Sequence, residues 1–579
     1  MAASLGIVST GDAANATPAK REISRLRIST YRGFGERPMF FSGGPQLFLL
    51  GICLAALAAC GALDGGSTTN SASVAPTGFA GAAAADEPKA AEIARDVLAS
   101  GGTAADAAVA GYFAMAVTLP STAGLGGGGT CLINDKPDKT VEAILFLPLA
   151  GPGGQIGLPL NVRGMALLQA RHGTAHWSAL LGPAQRLAQQ GMPVSRALAR
   201  ELATAGTKLS ADPNLAQIFL GADGQPLHEG DTLTQPDLAS LLSQIRASGP
   251  GSFYGGEAAA RLLDSAQTAG LPLTSEDLQA SLPTVDQAVI VDLGGPNLYF
   301  TPPPASGGLE TAEILGLLTE THSWGNADAG ERPHLFAEAS MRAFADRSHW
   351  LKPDGSSATP PDQILDSSHL SDLMASYAPD KATPAASLNP PPMPAHAENP
   401  WAASIVTVDK DGNAVACNFT LNDLFGSGHM LPGTGVVLAA APNQTGQDPY
   451  NLGAMIYTSR AGGSFFYAAA ASGGVAAPTA LAQVFLAAAK DKQPLATAIA
   501  AHRIHHNGSP DVVFYEPGTD PALLQDLTQH GHQLQQASIL GRVQAVWCPR
   551  SSSNQDAGCQ AAADPRGDGE ALVLQPASQ

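Results

Sequence analysis

Between Trp401 and Leu421 the chain reads WAASIVTVDKDGNAVACNFTL, two apolar, β-prone runs on either side of Asp411-Gly412. Asp-Gly between such runs is a strong hairpin signal, because the tight turns that suit strand twist need positive φ at their centre. Upstream the pattern is helical. PKAAEIARDVLASGG (88–102) gathers its apolar residues on one face and stops at a glycine pair. TAADAAVAGYFAMAVTLP (103–120) follows, with Thr103 placed to cap it and Asp106 in its first turn. Residues 174–206, 235–247, 254–270 and 331–347 also read as helices. STAGLGGGGTCLIN, KTVEAILFLPL, PDVVFYEP and EALVLQP read as strands or as leading into them. A Pro-rich stretch from Ala378 to Pro400 fits neither a helix nor a sheet interior and marks a boundary. Helices in front, strands behind and a linker between them predict a layered α+β body.

Composition supports a large core: hydrophobic residues make up 44% of the 579 and charged residues 14%, with a formal net charge of −19. Residues 1–59 carry six basic and three acidic side chains, so the remainder is more acidic still. Such a body repels phosphate backbones and anionic membrane surfaces, which argues against nucleic acid as a partner. The Gly126–Gly129 run lacks the lysine and hydroxyl of a phosphate-binding loop.

The start of the chain reads as an address. LFLLGICLAALAA (47–59) is short for a membrane span and suits the apolar region of a signal peptide. Leu57-Ala58-Ala59-Cys60 resembles a bacterial lipobox, which implies lipidation at Cys60. Residues 60–87 are then a flexible tether by composition. The expectation is an outer-membrane lipoprotein facing the periplasm, held by its lipid anchor and meeting a small ligand or an envelope protein. Cys548 and Cys559 flank a polar loop and could pair, whereas Cys131 and Cys417 sit in apolar contexts and read as buried hydrophobes. His505-His506 is a bare pair, and no spacing along the chain suggests a metal site or a cofactor.

Several segments in order carry a resemblance: GGTAADAAVA, STAGLGGGGTCL, GPAQRLAQQGMPVSRALA, YFTPPPASGGLE, HLFAEASMRAFADR, VDKDGNAVACNFTLNDLFGSG, PGTGVVL, AHRIHHNGSPD and ADPRGDG. Colinear over roughly residues 88–570, they resemble the γ-glutamyltransferase (glutathione hydrolase) family. That resemblance implies a four-layer αββα sandwich of the N-terminal-nucleophile hydrolase type. A large-subunit-like part (88–400) and a small-subunit-like part (401–579) would share one body. It also implies a precursor that cuts itself at a threonine, whose hydroxyl then attacks γ-glutamyl amides with its own freed α-amine as base.

Position by position, the match weakens where the chemistry would lie. Counting back from Val408-Asp409-Lys410-Asp411-Gly412 puts the family's nucleophilic threonine on Ala402. The family's carboxylate-binding arginine falls on Leu147, its acidic pair near Asn443-Gln444, and its paired serines on Gly453 and Ala454. A methyl cannot attack a carbonyl, and leucine cannot fork onto a carboxylate. Thr420 and Asn422 match residues beside the nucleophile, and Gly473-Gly474 match the pair that forms the oxyanion hole. Ser404 lies on the same strand face as Ala402, but bringing it to the catalytic point needs about two residues of slippage, ~6–7 Å. The sequence reading is therefore a catalytically degenerate family member acting in binding or as a scaffold. The alternative is an active γ-glutamyl hydrolase or transferase with a reorganised pocket.

Overall fold

The computed structural model describes residues 79–136, 138, 140–319, 323–389, 401–442, 451–460, 463–549 and 558–575. The signal-like segment, Cys60, most of the tether, residues 390–400 of the Pro-rich stretch, Asn443 and Gln444 lie outside them.

Two antiparallel sheets form the centre. The first contains β1 (Gly81–Ala85), β2 (Gly128–Asp135), β3 (Thr140–Phe146), β4 (Thr284–Gln287), β7 (Ala402–Asp409), β8 (Ala414–Thr420) and β13 (Glu570–Leu574), in the spatial order β13-β1-β7-β8-β2-β3-β4. The second contains β5 (Val289–Asp292), β6 (Asn297–Phe300), β9 (Gly453–Thr458), β10 (Phe465–Ser472), β11 (Arg542–Trp547) and β12 (Gln560–Ala562), in the order β12-β11-β10-β9-β6-β5. The Asp-Gly hairpin is β7–β8, in the middle of the first sheet, with Thr407 opposite Val415 and Ala402 opposite Thr420.

Strand alternation explains the layering. Ala82, Val406, Val408, Ala416, Ala454, Ile456, Ala468 and Ala470 pack in the space between the sheets. Their chain neighbours Ala83, Ile405 and Cys417 turn to a helical layer over the first sheet, and Ala469 and Ala471 turn to one over the second. The central strands are therefore largely apolar on both faces. The helices over the first sheet include α1 (Pro88–Ala99), α2 (Ala104–Thr118), α3 (Asn161–His172), α4 (Trp177–Gln190), α5 (Arg196–Ala211) and α6 (Pro236–Ser248). Those over the second include α7 (Ser306–Thr319), α8 (Glu331–Trp350), α9 (Ser367–Met374) and α10 (Ala477–Phe485). The result is the expected αββα sandwich.

Local signals account for several boundaries. The Thr103 side chain accepts from Asp106 N while Asp106 accepts from Thr103 N, a reciprocal cap that starts α2. The glycine run is a place of close approach: a Cβ on Gly129 would lie 2.1 Å from the Asn418 carbonyl oxygen.

Two sequence expectations need correction. The tether does not extend to residue 87, because Gly81–Ala85 is a fully buried strand between β13 and β7. A run of alanines has the composition of a linker, yet its small side chains suit the crowded interior of a sandwich. Cys131 and Cys417 are buried as expected, but they form a disulfide rather than standing as free thiols. They are opposite residues on the adjacent strands β2 and β8, a register that neither segment reveals alone. Cys548 and Cys559 also pair, closing the loop between β11 and β12.

Iodoacetamide applied to the denatured, unreduced protein is expected to spare Cys131, Cys417, Cys548 and Cys559, and to label all four after reduction. Labelling of Cys131 or Cys417 before reduction would contradict the pairing.

Candidate functional site

The hairpin start, the strand-to-helix turn after β10 and the segment after β3 meet around Ala402. Ala402 is buried at the first position of β7, and its methyl packs with Leu147 and Leu452 in a small apolar cluster. Two positions far apart in the chain, singled out by resemblance as the nucleophile and the carboxylate anchor, thus fall in one hydrocarbon cluster. Gly453 follows Leu452 and has no room for a side chain: a Cβ there would sit 2.8 Å from the Gly307 carbonyl carbon. Ala454 instead packs in the inter-sheet core.

Thr420 and Asn422 hold backbone. The Thr420 hydroxyl donates to the Trp401 carbonyl at 3.0 Å and accepts from Asn422 N at 2.8 Å, so it fixes the chain just before Ala402. Asn422, in the left-handed region at φ 62°, donates through Nδ2 to the carbonyls of Ala440 at 2.8 Å and Pro148 at 3.3 Å. The second bond anchors the strand exit that carries Leu147. Gly473 adopts φ 137°, and a Cβ on it would meet Gly541 Cα at 2.5 Å, so glycine is required there for packing.

Ser404 is fully buried two residues into β7. Its Oγ accepts from Asn418 Nδ2 at 3.0 Å, and its backbone N–H donates to Asp86 Oδ2 at 2.7 Å.

Behind these residues lies a charged group that sequence reasoning missed. Arg542, at the start of β11, donates through Nε to Ser472 Oγ at 3.1 Å and through Nη2 to the Ala402 carbonyl at 3.1 Å. Its guanidinium also lies 3.8 Å from Asp86 and 3.7 Å from Glu201 of α5. Asp86 further accepts from Gln544 Nε2 at 3.0 Å, and Glu201 accepts from the Ser121 hydroxyl. Burial pushes the Asp86 and Glu201 carboxyls upward, and the charge of Arg542 pulls against that shift. Burial equally opposes the charge on Arg542, but the attraction of Asp86, Glu201 and Asp564 outweighs it and raises the guanidinium further. The available signal was slight: an arginine opening an otherwise apolar strand, GRVQAVW, and the Asp86-Glu87 pair before the first helix.

Arg542→Met leaves two buried carboxylates without their cation and is expected to cost roughly 3–5 kcal/mol of folding stability in denaturant titration. A loss below about 1 kcal/mol, the scale of an exposed ion pair, would contradict this account.

The wider likeness agrees with this architecture. The family model described as gamma-glutamyltranspeptidase matches residues 90–152, 147–453 and 451–574. The glutathione hydrolase proenzyme of Escherichia coli K12 is 30% identical over 512 residues, covering 80% of this chain and 88% of that protein. The glutathione hydrolase proenzyme of Pseudomonas aeruginosa is 29% identical over 559 residues, covering 88% and 97%. Among solved structures, a cephalosporin acylase from Bacillus halodurans superposes with a TM-score of 0.74 at 22% identity, covering 89% of this chain and 99% of its own, a likeness of fold. This chain belongs to the gamma-glutamyltranspeptidase family.

Proposed function

We propose that this member keeps the family's fold without its chemistry. It neither processes itself nor transfers γ-glutamyl groups, and it acts as a binding or scaffold protein. The observation that carries this reading is the apolar cluster that Ala402 forms with Leu147 and Leu452. Processing and transfer both need a hydroxyl at the start of that strand, and alanine supplies none. A substrate carboxylate would meet leucine where a guanidinium is needed, and Gly453 has backbone pressed against it where a serine would project. Thr420, Asn422 and Gly473 each have a packing or backbone-bonding role that accounts for their presence. The apolar lining formed by Leu147, Ala402 and Leu452 favours a ligand less charged than glutamate.

The proposed place of action is the bacterial envelope, with the chain anchored through lipid on Cys60 and facing the periplasm. The order of apolar run, lipobox-like tetrapeptide and small polar segment supports it. Two disulfides in the folded body suit an oxidising compartment.

The competing reading, an active hydrolase or transferase with a reorganised pocket, has Ser404 as its nearest hydroxyl on the strand. That group is buried and bonded to Asn418, two residues past the strand start.

With a γ-glutamyl anilide as substrate, the purified protein is expected to release anilide no faster than buffer, and Ala402→Thr alone is expected to change nothing. Rescue by that single substitution would show that the substrate-binding part of the pocket is less damaged than proposed, and turnover by the unaltered chain would contradict the proposal. Turnover by the unaltered chain that Ser404→Ala abolishes would establish the competing reading.

A further inference from the structure

Two groups of histidine and carboxylate side chains lie beyond the site around Ala402. In one, His334 and Glu338 of α8 meet His532. That group is complete in itself. His334 Nε2 donates to the Ala378 carbonyl at 2.9 Å, which leaves Nδ1 of the neutral ring to accept from His532 Nε2 at 2.8 Å. Glu338 accepts from Arg342 Nη1 at 2.6 Å and from Thr383 N at 2.9 Å. Every ligand atom there already has a protein partner.

The second group is only partly satisfied. Glu313 of α7, Asp346 of α8 and His369 of α9 each bring one ligand atom to within 4.8 Å of the others. Glu313 is fully buried; its Oε2 accepts from Trp350 Nε1 at 3.2 Å, while Oε1 has no hydrogen-bond donor among the described residues. Asp346 Oδ2 lies 2.9 Å from His369 Nε2, its Oδ1 lies 3.3 Å from His349 Nδ1, and its carboxyl group meets that of Glu313. Glu310, one turn before Glu313 on α7, is also fully buried, and neither of its oxygens has a hydrogen-bond donor among the described residues. The Arg347 guanidinium stands 3.8 Å from Glu310 and pairs with it as an ion, without a hydrogen bond. Three enclosed carboxyl groups, with hydrogen-bond donors missing on two of them, concentrate unsatisfied lone pairs in one place. Buried carboxylates are ordinarily paired or bound to metal.

We propose that Glu313, Asp346 and His369 bind a divalent first-row transition ion, with Glu310 lying beside it. Carboxylate oxygens with one imidazole nitrogen make a donor set suited to Mn²⁺ or Zn²⁺. Trp350 holds Glu313 as an outer-shell partner. The His369 side chain is 36% exposed, which gives an ion a path in. Bound there, the ion ties α7, α8 and α9 together, a structural role independent of the pocket at Ala402. Spacing along the chain does not reveal the group, because each ligand comes from a different helix.

The test is calorimetric titration of the chelator-treated full chain with MnCl₂ and, separately, ZnCl₂, with folding of each variant checked by circular dichroism. One equivalent of either ion per chain is expected. His369→Ala and His369→Gln are expected to weaken binding at least about tenfold, the scale lost when even an outer-shell partner is removed. Glu313→Gln is expected to do the same. Absence of saturable binding would overturn the site and show that the carboxyl groups stay buried by sharing protons. Binding undiminished in the folded His369 variants would also overturn it, by placing the ion elsewhere.

Discussion

A guanidinium buried between two sheets holds the candidate site in place. Arg542 starts a strand of the second sheet, yet it bonds the Ala402 carbonyl of the first and the Ser472 hydroxyl beside the glycine pair. It also faces carboxylates from the end of β1 and from α5. Apolar packing between sheets is non-directional and leaves their offset loosely set. A charge that must find its partners in a dry interior tolerates little displacement. The same network continues through Asp564, which accepts from Val543 N at 2.9 Å and pairs with Arg503 and Arg566. Arg503 opens the RIHHNG run and Asp564 sits in ADPRGDG, so this network gives both segments a structural purpose.

Seen from that frame, the proposed loss of chemistry is local. The turns, the hairpin register and the backbone bonds of Thr420 and Asn422 are those of an intact scaffold. The proposed difference is confined to the apolar cluster of Leu147, Ala402 and Leu452. Fold stability rests on the sheets and the ionic network, so the lining is free to vary while the body stays folded.

The parts legible in the sequence are those written in adjacent residues. The Asp411-Gly412 turn, the Thr103–Asp106 cap and the helices at the front depend on neighbours a few positions apart. The colinear segments carried the αββα architecture, and the gap-free count from Val408 placed Ala402 at the head of its strand, where the structure has it. Illegible were the contacts between distant segments. The Cys131–Cys417 bridge spans 286 positions, and the Asp86–Gln544 bond spans 458. The first strand was hidden differently: five residues of glycine and alanine have the composition of a linker and become a strand only when flanking strands cover them.

The central claim is tested most directly by the intact mass of the protein purified from its own envelope fraction. A single species running from Cys60 to Gln579, with the added mass of lipid, is the predicted result. Two fragments separated between Pro390 and Thr407 would contradict it, and the new N-terminal residue would identify the hydroxyl that cut the chain.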